Sequence, residues 1–179
     1  MAGDPAAFEQ IVRVHQQSMW RYLRRLLGDA TTAEDVAQET FLRVYRRLPT
    51  YGFRSRFSTW VFQIARNAGI DELRSRARAE DLRRAVVPPP LGGDGPASAR
   101  VEIDAALAAL SVRHREALLL VEVLGLPYGE AATVLGVPVG TVKSRVFGAR
   151  RGVVAWARAD DAVQAVEADR ERREAGDEV

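Results

Sequence analysis

The chain has 179 residues, 47% of them hydrophobic, and a formal net charge of +2. The apolar fraction excludes a wholly disordered chain and is enough for one ordinary domain or two small ones. The absence of cysteine excludes disulfides and thiolate metal sites, and no apolar run reaches the roughly 18 residues of a membrane span.

The first block, residues 5–76, is predicted to be helical throughout. Breaks are expected at Gly28-Asp29 and at residues 49–58, and Asp29 is suited to cap a helix that reaches about Leu48. No alternating apolar and polar run of strand type occurs in the sequence. The fold class predicted from these patterns is therefore all-α.

The helix that follows Asp29 carries a candidate docking face for another protein. Val36, Phe41 and Val44 belong to its apolar side, while a leucine lies among carboxylate and amide groups on the other side. The members of this second face are Asp35, Gln38, Glu39, Leu42 and Arg43. Taken alone, the pattern fits an ordinary solvated helix face better.

Aromatic and basic residues are interleaved where a loop leads into the next helix. Rings stack on bases at about 1–3 kcal/mol per base, and guanidinium groups neutralise phosphates, so the pattern suits single-stranded DNA. The residues are Tyr51, Phe53, Arg54, Arg56, Phe57 and Trp60. The alternative is that Trp60, Phe62 and Ile64 are simply residues of the hydrophobic core, with Trp60 mostly buried.

Residues 77–100 interrupt the helical pattern, because the proline- and glycine-rich stretch 88–96 cannot continue a helix. We predict a flexible linker here, followed by a second small helical domain over residues 101–157. Residues 158–179 hold four arginines against eight acidic residues and are predicted to be a disordered acidic tail. The remaining 22 basic and 16 acidic residues give +6, which is compatible with nucleic-acid binding.

Residues 128–151 have the pattern of a helix-turn-helix. A short apolar helix ends at Gly136, a residue suited to the left-handed conformation, and Pro138 separates it from a second helix that starts near Val139. The buried stripe of the second helix is predicted to be Val139, Val142, Val146, Ala149 and Val153. Its other side is small, polar and basic, which suits a DNA major groove, although any helical hairpin has a solvated face.

Three motifs in this order resemble signatures of the extracytoplasmic-function (ECF) sigma factors, which are two-domain bacterial transcription initiation factors. They lie at residues 33–43, at 57–67 and at 138–145. The resemblance covers about residues 6–157. It implies a cytoplasmic protein that binds core RNA polymerase and promoter DNA and initiates transcription, with an anti-sigma factor as a further partner and no membrane insertion.

The resemblance also implies a role for each segment. The docking face around Leu42 binds the clamp helices of the polymerase β′ subunit, and the β subunit is a further contact. The loop 51–58 accepts a base flipped from the −10 element, and Arg66 and Asn67 on the next helix hold the non-template strand. The −35 element is read by Thr141, Lys143, Ser144, Arg145, Phe147 and Arg151.

Gly148 departs from the family pattern, since many relatives carry a basic residue at this position of the recognition helix. We interpret it as the loss of one groove contact, at a cost of about 1 kcal/mol in helix propensity relative to alanine. The base preference at the −35 element therefore stays open.

Other functional classes fit the sequence less well. His15 and His114 lack metal-ligand spacing and no phosphate-binding glycine loop is present, so we expect no enzyme activity, no metal and no cofactor. The alternative function is a sigma-like protein that binds an anti-sigma factor without binding DNA. The basic residues on the second helix of the helix-turn-helix argue against this alternative. A helix-turn-helix repressor is a third option, but it leaves the first block unexplained.

Overall fold

The structure is a computed structural model that describes residues 5–84 and 99–176. Every regular element in these two ranges is helical, with no strand, which confirms the predicted all-α fold class. The helices are α1 Pro5–Leu27, α2 Ala30–Arg47, α3 Phe57–Arg84, α4 Ala99–Ala109, α5 Val112–Leu118, α6 Tyr128–Leu135 and α7 Val139–Gly176. A 3₁₀ turn, Leu48–Thr50, follows α2, and a π-helical turn, Leu119–Val123, follows α5.

The first three helices pack together as one domain. Met19, Tyr22 and Leu26 of α1 are fully buried, and Val44 of α2 and Val61 of α3 close the core around them. The boundary between α1 and α2 falls at Gly28-Asp29 as predicted: Gly28 has a φ of 77°, and Asp29 Oδ2 accepts a hydrogen bond from the Thr32 amide at 2.8 Å. Local turn and cap chemistry therefore fixes where α2 begins.

The helix-turn-helix is formed by α6 and α7. Gly136 ends α6 with φ 65° and ψ 37°, the left-handed conformation expected of a helix-ending glycine. Val142, Val146 and Ala149 are buried against the rest of the second domain. Val139 is 40% exposed, so its predicted burial is wrong: it is the first residue of α7 and lies beyond the helices that cover the rest of the stripe.

Two helices extend further than the sequence patterns indicate. Residues 77–84 continue α3 instead of starting the predicted linker, and residues 158–176 continue α7 instead of forming an irregular tail. Both stretches are rich in alanine, arginine and acidic residues with no proline, so helix propensity extends the neighbouring helix. The rest of the predicted linker, 85–98, and the end of the predicted tail, 177–179, lie outside the described residues.

The two domains pack directly against each other. Helix α3 contacts α6, while α1 contacts α5 and the π-helical turn. Buried residues of both domains belong to one continuous apolar cluster. This interface was not predicted from the sequence, because a linker limits how far two domains can separate but does not determine whether they touch.

Candidate nucleic-acid interface

The predicted docking residues of α2 form one continuous face. Asp35 and Gln38 are exposed and Leu42 is 50% exposed, at the spacing that brings residues to one side of a helix. Glu39 and Arg43 are half-buried and form an ion pair in which Arg43 Nε lies 3.0 Å from Glu39 Oε1. The opposite side of α2 packs on α1 and α3, so this face remains open to a protein partner.

The predicted strand-binding aromatics form a cluster at the start of α3. The Tyr51 ring centroid lies 4.7 Å from that of Phe53, 5.3 Å from Phe57 and 5.1 Å from Trp60. Tyr51, Phe57 and Trp60 are half-buried, whereas Phe53 is 85% exposed. Of the residues that the alternative assigns to the core, Phe62 and Ile64 are buried, whereas Trp60 is only half-buried.

The loop that carries the cluster has an unusual backbone. Phe53 is the non-glycine residue with positive φ, 53°, within the described ranges. This conformation is uncommon for an aromatic residue. The Tyr51 hydroxyl donates a hydrogen bond to the Ser55 carbonyl at 2.5 Å and closes the loop beneath Phe53. The loop therefore presents an exposed ring on a turn that a hydrogen bond closes.

The arginines and the asparagine of this site differ in their accessibility. Arg54, Arg56 and Asn67 are exposed, but the Arg66 side chain is only 24% exposed. Arg66 Nε donates to Glu116 Oε1 of α5 at 2.6 Å. Partial burial alone lowers the Arg66 pKa, but the hydrogen bond and charge of Glu116 outweigh this effect and raise the pKa above its ordinary value.

A second carboxylate of the second domain reaches the same region. Glu130 on α6 accepts a hydrogen bond from the buried Thr59 hydroxyl at 2.7 Å, and its other oxygen lies 3.1 Å from Arg56 Nη1. Glu116, Glu130 and Thr59 were not among the site residues predicted from the sequence. The sequence does carry a signal for Glu116. This carboxylate directly precedes the apolar run 117–121, and an acidic residue beside buried residues needs a partner.

The recognition helix α7 presents the predicted −35 residues with different degrees of exposure. Lys143, Ser144 and Arg151 are exposed and Phe147 is 64% exposed, while Thr141 and Arg145 are half-buried. The Arg151 guanidinium lies 5.9 Å from the Phe147 ring centroid, within cation–π range. Except for its two half-buried members, this face is accessible to a DNA groove.

Gly148 does not belong to that face. A Cβ atom at this position comes within 3.0 Å of His114 Nε2 on α5, so a larger side chain here enters the α5–α7 contact. Interpreting Gly148 only as a lost groove contact therefore misses its packing against α5. Its small size lets α7 pack closely on α5.

The fold and these surfaces define a two-domain helical protein with one candidate single-strand site and one helix-turn-helix. The family descriptions "Sigma-70 region 2" and "Sigma-70, region 4" match residues 11–79 and 100–151. The ECF RNA polymerase sigma factor SigC of Mycobacterium tuberculosis is 40% identical over 163 residues, covering 89% of this chain and 88% of that protein. The RNA polymerase sigma-H factor of Pseudomonas aeruginosa is 35% identical over 166 residues, covering 84% of this chain and 86% of that protein.

Similar solved structures agree with these relatives. RpoE of Bartonella quintana, solved with the anti-sigma factor NepR, gives a TM-score of 0.73 at 25% identity, covering 86% of this chain and 98% of that one. CnrH, solved with the cytosolic domain of CnrY, gives a TM-score of 0.68 at 28% identity, covering 88% of this chain and 92% of that one. The chain therefore belongs to the ECF sigma factors of the sigma-70 family, and it is a sigma factor that initiates transcription with RNA polymerase.

Two features of the described residues bear on other functions. None of the helices in residues 5–84 and 99–176 is long and apolar enough to cross a membrane. Over the same part of the chain, histidine and acidic residues form no group able to hold a metal ion. Sigma factors as a family are not enzymes, and the sigma-like protein without DNA binding is not favoured.

Proposed function

We propose that this sigma factor divides promoter opening between its two domains. The first domain binds core polymerase through α2 and captures the separated −10 strand at the start of α3. The second domain reads the −35 element through α7. The observation that carries the proposal is the ring cluster around Tyr51, which lies next to the exposed guanidinium groups of Arg54 and Arg56.

The ring cluster is suited to hold an unpaired base. Phe53 offers an exposed ring and Tyr51 a second one 4.7 Å away, while Arg54 and Arg56 supply positive charge for the adjacent phosphates. Unstacking a base costs a few kcal/mol. Stacking on these rings, together with polymerase contacts along the promoter, offsets this cost, so strand separation proceeds without ATP.

The α2 face binds the clamp helices of the polymerase β′ subunit. Leu42 provides the apolar centre, and Asp35, Gln38 and the Glu39–Arg43 ion pair provide a polar surround. An apolar residue surrounded by polar groups is typical of a binding surface that must also be stable in water. The opposite side of α2 packs on α1 and α3, so this face is free to bind polymerase.

The exposed residues of α7 enter the major groove of the −35 element. Lys143 and Arg151 supply the positive charge, and Ser144 and Phe147 lie between them on the exposed surface. Thr141 and Arg145, which are half-buried, form the edge of this surface. Gly148 plays no part in base recognition, since it packs against His114.

The proposal includes an anti-sigma partner and a cytoplasmic location. RpoE of Bartonella quintana, similar to this chain over 86% of its length, was solved with an anti-sigma factor. Bacterial RNA polymerase works in the cytoplasm, which supports this location for the sigma factor. We assign the chain no catalytic activity of its own, because its family consists of sigma factors.

Run-off transcription tests the proposal. Transcript start sites are mapped after overexpression of the chain, and the upstream fragments are transcribed in vitro with core polymerase alone or with the purified chain. We expect transcripts from the mapped starts only when the chain is present. If polymerase plus the chain yields no promoter-dependent transcript, the proposed function is wrong.

A further inference from the structure

We propose that α1 and α4 form a binding site for a nucleoside diphosphate or triphosphate. The site is a cavity of about 280 Å³ between one face of α1 and the side chains of Ile103 and Asp104 on α4. The α1 residues that line it are Gln17, Trp20, Arg21, Arg24 and Arg25. None of them belongs to the surfaces that we assign to polymerase, to the −10 strand or to the −35 element. The site therefore adds a binding activity that the proposed function does not include.

The sequence of α1 brings three arginines to one face of the helix. Arg24 and Arg25 follow Arg21 by three and four residues, and residues at these spacings are neighbours on a helix surface. The opposite face of α1, which includes Tyr22 and Leu26, is fully buried in the core of the first domain. The core thus fixes the rotation of α1, and the three guanidinium groups are gathered at the cavity.

Two of these three arginines have no acidic partner. Arg24 Nη2 lies 3.1 Å from Asp104 Oδ2, whereas neither Arg21 nor Arg25 forms an ion pair within residues 5–84 and 99–176. Like charges four residues apart on a helix repel each other. The helix dipole favours Arg25, which lies in the last turn of α1, but Arg21 lies before that turn. An anion bound between Arg21 and Arg25 relieves their repulsion.

The arginines are suited to a ligand that carries more than one phosphate. A guanidinium group donates paired hydrogen bonds in a planar geometry that matches the oxygen atoms of a phosphate. Arg24 is held in place by Asp104 and by the Gly28 carbonyl, to which its Nη1 donates at 3.2 Å, so it supplies a fixed positive charge. Arg21 and Arg25 remain available to bind one phosphate each.

Trp20 supplies a ring for the base of the ligand. Its side chain is half-buried, yet within the described part of the chain it makes no ring contact and does not pack on the buried apolar cluster. The Trp60 ring, in contrast, lies 5.1 Å from that of Tyr51 and 5.6 Å from that of Phe57. Nucleic-acid bases stack on the faces of aromatic side chains. An available indole beside the arginines distinguishes a nucleotide site from a site for phosphate alone.

The positive charge covers a length that suits one nucleotide and not a strand. The cavity volume is close to the lower end of the range for small-molecule pockets, about 300–1,000 Å³. Beyond Trp20 the surface continues into a second cavity, where Arg13 is already in an ion pair and Glu34 adds a negative charge. On the other side, Arg25 borders an apolar cavity that Glu102 also lines. A polynucleotide needs a basic groove that continues along its backbone.

Nucleotide binding is measured on the full-length chain by fluorescence anisotropy. The probe is ATP that carries a methylanthraniloyl group on its ribose, and unlabelled ATP, tripolyphosphate and adenosine compete with it. We expect ATP to compete at least about tenfold better than tripolyphosphate or adenosine, because each of these lacks either the base or the phosphates. Failure of the wild-type chain to bind the labelled ATP overturns the proposal.

The arginines are tested by a pair of double variants with the same change in net charge. Arg21→Gln/Arg25→Gln should weaken binding of the labelled ATP by at least about tenfold, because it removes both available guanidinium groups. Arg46→Gln/Arg47→Gln is the matched control, since these arginines are exposed in the last turn of α2, away from the cavity. The control should leave the affinity unchanged. Circular dichroism establishes that each variant keeps the helical content of the wild type.

The indole is tested by substitutions that remove or keep an aromatic ring. Trp20→Ala should weaken ATP binding about tenfold while leaving the competition by tripolyphosphate unchanged, because only the base stacks on the ring. Trp20→Phe keeps a ring at this position and should retain most of the affinity for ATP. A loss of tripolyphosphate binding that equals the loss of ATP binding in Trp20→Ala contradicts the role of the indole.

Three further outcomes overturn the nucleotide site. An equal loss of affinity in both arginine double variants shows that net charge alone attracts the probe. Tripolyphosphate that competes as well as ATP shows a surface that binds any polyanion. A random-sequence single-stranded oligonucleotide that competes better than ATP shows that the arginines belong to a path for a strand. Since none of these variants changes the α2 face, the ring cluster or α7, run-off transcription by a chain that fails to bind ATP leaves the proposed function intact.

Discussion

Asp29 connects the start of α2 to the end of the first domain. Its carboxylate accepts the Thr32 amide at 2.8 Å and lies 3.3 Å from Arg76 Nη2. Hydrogen bonds from Thr32, supported by Arg76, lower the pKa of Asp29 from 3.8 to about 2. The charged form of the carboxylate is therefore favoured in the folded state.

This shift makes part of the stability depend on pH. Asp29→Asn keeps a good capping side chain but removes the charge. Because the unfolded chain binds the proton more tightly, the wild type should be more stable than the variant above a pH of about 4, and this advantage should disappear as pH falls to about 2. Thermal unfolding of the wild type and the variant across this pH range measures the stability advantage. A difference in melting temperature that does not change with pH would contradict the assignment.

Single residues also show where sequence patterns predict a structure and where they do not. Asp29 and Gly136 were predicted correctly because a helix cap and a left-handed turn depend on the residue and its immediate neighbours. Val139 and Gly148 were misinterpreted because their environment comes from other helices. Nothing in the local pattern places His114 3.0 Å from a Cβ at position 148.

At the scale of the helices, the contact between α1 and α3 depends on Gly69. A Cβ atom at this position comes within 2.9 Å of Leu26 Cδ2 and 3.1 Å of Leu23 Cδ2, and both leucines are fully buried. Close packing of this kind leaves no room for an added methyl group. The two helices approach each other at this glycine.

Substitution of this glycine should therefore destabilise the fold. Gly69→Ala gains about 1 kcal/mol of helix propensity, but overpacking typically costs about 1–3 kcal/mol, so we expect a net loss in the free energy of unfolding. Gly140→Ala is the control, because a Cβ in that first turn of α7 meets nothing within 4 Å. Urea unfolding of both variants measures the difference; a stabilised Gly69→Ala protein would show that α1 and α3 are further apart.

The helices α2 and α7 should respond independently to substitution. Arg145→Ala and Arg151→Ala should weaken binding of a −35 duplex, by about 1–3 kcal/mol for a base contact, without changing the affinity for core polymerase. Glu39→Ala and Leu42→Ala should do the reverse. Fluorescence anisotropy with labelled duplex and with labelled polymerase distinguishes the two sets. Equal damage by both sets to polymerase binding would refute the separation of roles.

At the scale of the whole molecule, sequence patterns identify the two domains but not their arrangement. Helical periodicity and the helix-turn-helix follow from residues close in the chain, so they can be recognised without a structure. The Arg66–Glu116 and Thr59–Glu130 contacts join residues 50 and 71 positions apart. No local pattern pairs a particular carboxylate with a particular arginine at such separations, which is why the interface appears only in the structure.

The central claim is that the two domains read different elements of one promoter. Run-off transcription on an intact promoter and on a template with its −35 element replaced tests it directly, with the wild type and an Arg145→Ala/Arg151→Ala variant. On the intact promoter we expect the variant to yield at least about tenfold less transcript, equivalent to about 1.4 kcal/mol. On the altered template both proteins should be equally weak. An equal reduction by the variant on both templates, or none on the intact promoter, would contradict the claim.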